Sequence, residues 1–284
     1  MKNEILVSAC LITYNQKLYI EESIKTAVMQ KVYNYEIVIG DDCSKDGTSE
    51  ICQKYAKQYP NLIKYKRREK NLGMIGNWLA TINAAKGKYI ALCEGDDYWT
   101  DPLKLQKQVD FLEANENFVG VFHKTAFIDE RNTNSTPKAW RAYQQDEFKA
   151  EDTIRKLSLF HTSSYCFRNR DYNLDFLFTK NLISADMMLL GLISKYGKLK
   201  LLNETMSVYR RNVSGVTSGE SRIKYHKNRI ALNQALNAYF DYKFNQKATE
   251  VIGYHKNELF KLKYPYLHKI NKKLKKLTLP LAEV

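Results

Sequence analysis

The chain of 284 residues has no run of about 18 consecutive apolar residues, the length a membrane-spanning helix needs. A spanning helix is therefore not expected. The amino terminus, MKNEILVSACLI, has one Lys and then a Glu, and its short apolar run leads directly into TYNQK. A cleaved leader is not expected either. Cysteine is sparse: Cys10, Cys43, Cys52, Cys93 and Cys166 are odd in number, widely spaced and form no CxxC. That argues against a disulfide framework or a zinc site, and for free thiols in a reducing cytosol. Two nucleotide motifs are missing. Gly73 and Gly76 do not make a GxGxxG, and no GxxxxGK precedes a Ser or Thr. Hydride transfer on a dinucleotide and P-loop phosphoryl transfer lose support. There is no internal repeat and no long low-complexity segment.

What is present suits a globular protein. The chain is 44% hydrophobic, 27% charged and 12% aromatic, and long enough for a sizeable core. Its formal charge is +14. Such an excess attracts an acidic partner: nucleic acid, an anionic membrane or a phosphorylated substrate. The excess is uneven. Residues 220–284 hold 14 Lys/Arg against 5 Asp/Glu, a net +9.

The first 125 residues alternate between two periods. Ile5–Ile12, Tyr35–Gly40, Leu62–Tyr65, Tyr89–Cys93 and Val119–Phe122 are apolar runs of strand length. Between them, Tyr19–Gln30, a segment from Asp46 to Tyr59, Met74–Ala85 and a segment from Pro102 to Ala114 show helical spacing. Alternation at this spacing predicts an α/β fold, a mostly parallel sheet with helices on both faces. Ligands in such folds bind beyond the carboxyl ends of the strands. Residues 130–150 are polar and read as a loop or lid. A short helix, a strand near Ser164–Phe167, a helix over Ala185–Tyr196 and two strands, Leu199–Leu202 and Thr205–Tyr209, follow. From about 220 to Tyr264 the pattern is helical, and a basic amphipathic tail closes the chain.

The strand ends carry carboxylates. One strand runs into Asp41-Asp42, another into Glu94-Gly95-Asp96-Asp97. Like charges at one strand terminus repel unless a cation or a donor network offsets them. Oxygen ligands favour Mg²⁺ or Mn²⁺ over zinc, and such ions commonly keep phosphate oxygens as further ligands. The chemistry suggested is a divalent metal bridging a diphosphate. The competing explanation is that these acids are turn formers and helix caps, and it is strongest for Asp46 and Asp101.

VSACLITYNQKLYIEESIKTAVMQ, then EIVIGDDCSKDGT, then NLGMIGNW and AAKGKYIALCEGDDYWTDPLKLQKQ, together resemble the family-2 glycosyltransferases of the GT-A fold. The resemblance is nearly gap-free over residues 4–125 and looser to about 215. It implies an inverting, metal-dependent transferase that uses a nucleotide-diphosphate sugar, of the type that builds bacterial cell-surface polysaccharide. It also implies a nucleotide-sugar half at 1–125, an acceptor and catalytic half at 126–219, and a basic helical extension at 220–284.

Residue by residue, the resemblance puts Thr13, with Tyr14 and Asn15, beside the nucleotide base. Asp42, or Asp41 beside it, matches the acid that reads a pyrimidine edge. Asp96 would lie near the ribose or the metal, and Asp97 would ligate the metal directly. Glu94 replaces the commoner Asp at the start of that element. Arg67 or Arg68 would reach the base or the phosphates, or stand solvated at a strand end. Asn71 and Asn77 would bind the nucleotide or cap a helix. Asp186, in SADMML, matches the general base, with Asp171 and Asp175 weaker choices. Arg210 and Arg211 fall in the stretch that meets the leaving diphosphate, although the His common after YR is absent. Thr162 and Ser163, after His161, fall in a loop near the acceptor. Trp99 would flank the acceptor pocket, Trp78 would be core, and Trp140 would belong to the lid.

The expected partners are a nucleotide-diphosphate sugar, UDP favoured, and a glycan or lipid-linked acceptor, with Mn²⁺ or Mg²⁺ as cofactor. An anionic membrane under residues 220–284 and a homo-oligomer are further expectations. Nucleic acid is not expected, because no compact recognition motif accompanies the basic residues. A cytoplasmic protein, peripheral on the inner face of the plasma membrane, follows. A metal-dependent nucleotidyltransferase making sugar nucleotides is the rival enzyme. It would show a Gly-rich basic loop where TYNQKLYIEES stands.

Overall fold

The computed structural model describes residues 4–131, 135–172, 174, 184–212 and 221–267. The first strand, β1 (Val7–Thr13), is buried along its whole length. Then come α1 (Ile20–Val28), β2 (Tyr35–Asp41), α2 (Thr48–Gln58), β3 (Ile63–Arg67), α3 (Gly73–Ile82) and β4 (Tyr89–Glu94). Next are β5 (Tyr98–Trp99), α4 (Lys104–Ala114), β6 (Phe118–Asp129), β7 (Lys138–Ala139), β8 (Glu147–Phe148) and α5 (Ala150–Thr153). Finally come β9 (Cys166–Arg168), α6 (Ala185–Ser194), β10 (Lys198–Arg211), α7 (Arg222–Tyr239) and α8 (Asn245–Lys263).

The central sheet runs β3-β2-β1-β4-β9-β6-β10-β5. The β3-β2-β1-β4 half and the β6–β10 pair are parallel. Alternate side chains of β1 feed two cores. Ala9 and Leu11 pack with α1, α2 and α4, while Cys10 and Ile12 pack with Trp78 of α3 and Leu189 of α6. Helices thus cover both faces, and Trp78 is core.

The sheet departs from expectation at β9, which runs antiparallel between β4 and β6. It enters from a short loop rather than a crossover helix, so nothing forces it parallel. The two strands expected at 199–209 are one, β10, whose register against β6 shifts twice near Thr205. The loop at 130–150 contributes β7 and β8 to the sheet edges.

The helix expected from 220 to 264 is a hairpin. Asp241 and Tyr242 take φ of +52° and +59°, and the left-handed turn reverses the chain between α7 and α8. The hairpin packs Leu232, Leu236 and Val251 on Met188 and Leu192 of α6. Its seam is polar: the Nδ1 atoms of buried His226 and His255 lie 3.0 Å apart, and Asn237 donates to Asn245 at 3.0 Å. None of the described helices is long and apolar enough to cross a membrane.

Candidate active site

Parallel register brings the chemistry together. Thr13 pairs with Asp41, and Ile12 with Glu94, so β1, β2 and β4 end at one rim. The Asp42 amide donates to the Thr13 carbonyl at 2.9 Å and the Gly95 amide to Ile12 at 2.8 Å. Gly95 needs its missing side chain: a Cβ there would meet Gln16 Oε1 at 2.4 Å and Thr13 Oγ1 at 2.8 Å.

The two acids after β2 differ. Asp41 is fully buried and accepts from the Ser44 amide at 3.0 Å, the Tyr65 hydroxyl at 2.8 Å and the Ser49 hydroxyl. Both its oxygens are engaged inside the loop. Asp42 accepts from the Leu72 amide at 2.7 Å, and burial pushes its pKa up. The charges that bear on Asp42 are that of Arg68, held by Asn77 and Thr81 at 3.0 Å each, and the opposing one of Asp41. Arg67 instead turns outward to Ser49 and the Ser44 carbonyl. Asn77 is buried and donates to the Gly40 carbonyl at 2.8 Å, which makes it a brace between β2 and α3 rather than a free donor for nucleotide. Asn71 bonds the Asp42 carbonyl and the Gly73 amide, a turn brace at the start of α3. Asn15, at φ +51°, links to Ser44 and Lys45, while Tyr14 beside it is exposed.

The acidic centre lies at the end of β4. Glu94 and Asp96 are half-buried and Asp97 is fully buried. Asp96 Oδ2 accepts from Asn212 at 2.9 Å, and Asp97 Oδ1 from the Arg210 amide at 3.1 Å. Asp97 Oδ2 is buried with no hydrogen-bond donor and faces His161 Nδ1 at 3.5 Å. Burial pushes all three carboxyls above the usual range. Glu94 rises to about 8, with Asp96 and Asp186 adding to the shift. Asp97 is also raised well above the ordinary aspartate value, with Asp96 and Glu94 adding. Glu94, Asp97 and His161 each offer a ligand atom, all within 4.8 Å of one another. An orphaned buried oxygen among uncompensated carboxyls suits a divalent cation.

Four expected ligand contacts are spent on the protein itself. Trp99 is buried: its Nε1 donates to the Ser163 carbonyl at 2.9 Å, and the Lys104 ammonium covers its ring at 4.1 Å. No face is left for a sugar. Thr162 and Ser163 are buried too, and the Ser163 hydroxyl joins an internal chain through Ser207 to Thr125. The Arg210 guanidinium is clamped by Glu22, by Glu130 at 3.0 Å and by the Asp96 carbonyl at 3.1 Å. It braces the acidic turn and has no free edge for a diphosphate. Arg211 remains exposed at the end of β10.

Asp186 stands in the first turn of α6, where the helix dipole favours an anion. The Ser158 hydroxyl donates to its Oδ2 at 3.0 Å. Its charge raises Glu94, so the two carboxyls lie near one another. Asp171 follows β9 at the opposite end of β4, because Arg168 pairs with Tyr89. Asp175 lies outside the described residues. Trp140 meets His161 edge-on at 5.6 Å. Sequence reasoning missed Gln16, Ser158 and Asn212, and named His161 only as the residue that precedes Thr162 and Ser163. Gln16, one residue after TYN, accepts from Thr13 at 2.8 Å and reaches Asp96, and that adjacency was its only signal.

A profile of the Glycosyl transferase family 2 matches residues 8–177. An uncharacterised protein of Mycobacterium tuberculosis is 35% identical over 214 residues, which are 74% of this chain and 60% of that protein. The chain therefore spans about three fifths of that relative's length. Among solved structures, residues 1–349 of Staphylococcus aureus TarS with UDP-GlcNAc superpose at a TM-score of 0.65 and 17% identity, over 90% of this chain and 73% of that one. A mannosyltransferase from Pyrobaculum calidifontis, with GDP-Man and Mn²⁺, gives 0.59 and 16% over 91% and 70%. These likenesses show the fold.

Proposed function

Because the chain belongs to glycosyl transferase family 2, we propose that it transfers a sugar from a nucleotide-diphosphate sugar to a hydroxyl of a glycan or lipid-linked acceptor, with inversion. One observation carries this reading: β1, β2 and β4 end at one rim that gathers Asp42 and the Glu94–Asp97 carboxyls, with the Asp186 charge close enough to bear on Glu94. Asp42, with Arg68 behind it, reads the base, and a pyrimidine imide N–H suits its carboxylate. UDP is the favoured nucleotide. Asp186, held by Ser158, removes the acceptor proton during in-line attack. Glu94, Asp96, Asp97 and His161 would hold Mn²⁺ or Mg²⁺, which when bound neutralises charge on the leaving diphosphate. The imidazole nitrogen tilts the set from Mg²⁺ toward Mn²⁺. The neighbours solved with UDP-GlcNAc and with GDP-Man and Mn²⁺ support a nucleotide-sugar donor and a divalent ion.

The test is a thermal-shift panel of UDP, dTDP and GDP sugars with Mn²⁺, followed by turnover of the stabilising donor. Asp186→Asn should bind the donor normally and lose roughly 10²-fold or more in transfer. Unchanged turnover removes Asp186 as the base. Asp97→Asn should remain folded and lose metal-dependent turnover, and normal activity in it sinks the metal assignment.

A further inference from the structure

Three arginines gather near the start of α6, and among the described residues only Asp152, which bears on Arg155, answers their charge. Arg141 lies between β7 and β8, Arg155 follows α5, and Arg229 is on α7. All three are half-buried, and the Nε of each is buried without a hydrogen-bond partner. None joins an ion pair among the described residues, in contrast to Arg210, which takes two. They are mutual neighbours. Burial holds Arg141 and Arg155 below the ordinary arginine value, and the charges of Arg229 on Arg141 and of Arg141 on Arg155 add to it. The Tyr225 ring lies 5.0 Å from the Arg229 guanidinium and also bears on Arg141.

Their contacts tie them to the segments that carry Asp186 and His161. Arg229 touches the sulfur of Met187, the residue after Asp186. Arg155 lies three residues before Ser158, which holds Asp186. Arg141 stacks on Trp140 at 4.8 Å, and Trp140 meets His161. The cluster therefore adjoins the start of α6 and the Trp140–His161 contact rather than the Thr13–Asp42 rim assigned to the donor. Like charges partly withdrawn from water, with Asp152 bearing on Arg155 alone among the described residues, are costly unless a ligand supplies further counter-charge. Guanidinium forks match phosphoryl oxygens in pairs.

We propose that Arg141, Arg155 and Arg229 form a subsite for a phosphoryl group of the acceptor. The acceptor is then phosphate-bearing, either a diphosphate-linked lipid or a phosphodiester polymer. This rests on the transferase reading for the word acceptor, and on the arginines alone for the anion.

Equilibrium dialysis of inorganic pyrophosphate against the full chain, with saturating UDP, tests it. Wild type should bind, and Arg141→Gln/Arg229→Gln should bind roughly tenfold or more weakly while UDP affinity holds. If the glutamines do not fold, Arg141→Lys and Arg229→Lys carry the test, since they keep the charge and lose the fork. Equal affinity in the folded variants overturns the subsite. So does displacement of pyrophosphate by UDP, or glucuronate binding as tight as pyrophosphate. Dimethyl phosphate separates the two sources: comparable binding points to the polymer, much weaker binding to the lipid. Pyrophosphate binding without any nucleotide-sugar binding keeps the subsite and removes the donor reading, and the reverse result removes the subsite alone.

Discussion

Lys104 carries an ammonium group into the core, where it meets Gln108 at 2.7 Å and the Trp99 ring. Burial pulls its pKa down to about 8 from 10.5. Between those values the unfolded chain binds more protons than the folded one, so folding strengthens as pH rises. Relative to Lys104→Met, the wild type should gain up to about 3 kcal/mol between pH 8 and 10.5. Denaturant titrations across that range check it, and a flat difference removes the buried charge. Ser158→Ala should lower kcat by roughly tenfold at unchanged donor KM, because Asp186 loses the group that orients it. Donor-saturated kinetics decide; an equal rise in KM makes Ser158 structural. These roles were poorly legible. Asp186 stood out by its motif, but Ser158 lies 28 residues away and nothing local marks it. Asp42 was preferred over adjacent Asp41 by the resemblance alone. Only the fold separates them, by surrounding Asp41 with Ser44, Ser49 and Tyr65.

At the scale of elements, periodicity located β1 to β4 and the helices between them, because each is a local pattern packed on both faces. Boundaries decided by partners were hidden. The bulged pairing that keeps β10 whole depends on β6, and the turn splitting α7 from α8 depends on backbone angles at Asp241 and Tyr242. The hairpin seam has its own chemistry. Burial holds both His226 and His255 below the ordinary histidine value, His255 at about 4, with Arg229 and His226 opposing its charge further. The unfolded chain protonates these rings first as pH falls, so stability present above about 6.5 should be lost progressively toward pH 4. Amide exchange should show α7 and α8 loosening in that window before the β1–β4 core. Uniform loosening contradicts this.

For the whole molecule, the charge divides. The described hairpin presents exposed Tyr264, Tyr266 and Leu267 just before the Lys-rich tail, whose residues 268–284 lie outside the described ones. Deleting 268–284 should weaken binding to vesicles containing anionic lipid, and more so at low salt. Co-sedimentation measures it, and equal binding refutes the membrane expectation. The same total charge hides the three arginines near the start of α6. Counting Lys and Arg along the chain gave them no prominence, since Arg141, Arg155 and Arg229 come together only through the docking of three separate segments.

The three residues of β9 bond β4 on one side and β6 on the other. The segment that carries His161 and Ser163 hangs directly from that strand. Its distance from Asp97 is therefore a matter of residue count: one residue inserted into the 3-10 turn between His161 and Cys166 offsets the imidazole by about 2 Å and rotates it. The core would still close, since Cys166 and Phe167 keep their faces. Substitutions in this loop are thus the milder change, whereas a single-codon insertion should silence the site in a protein that remains folded.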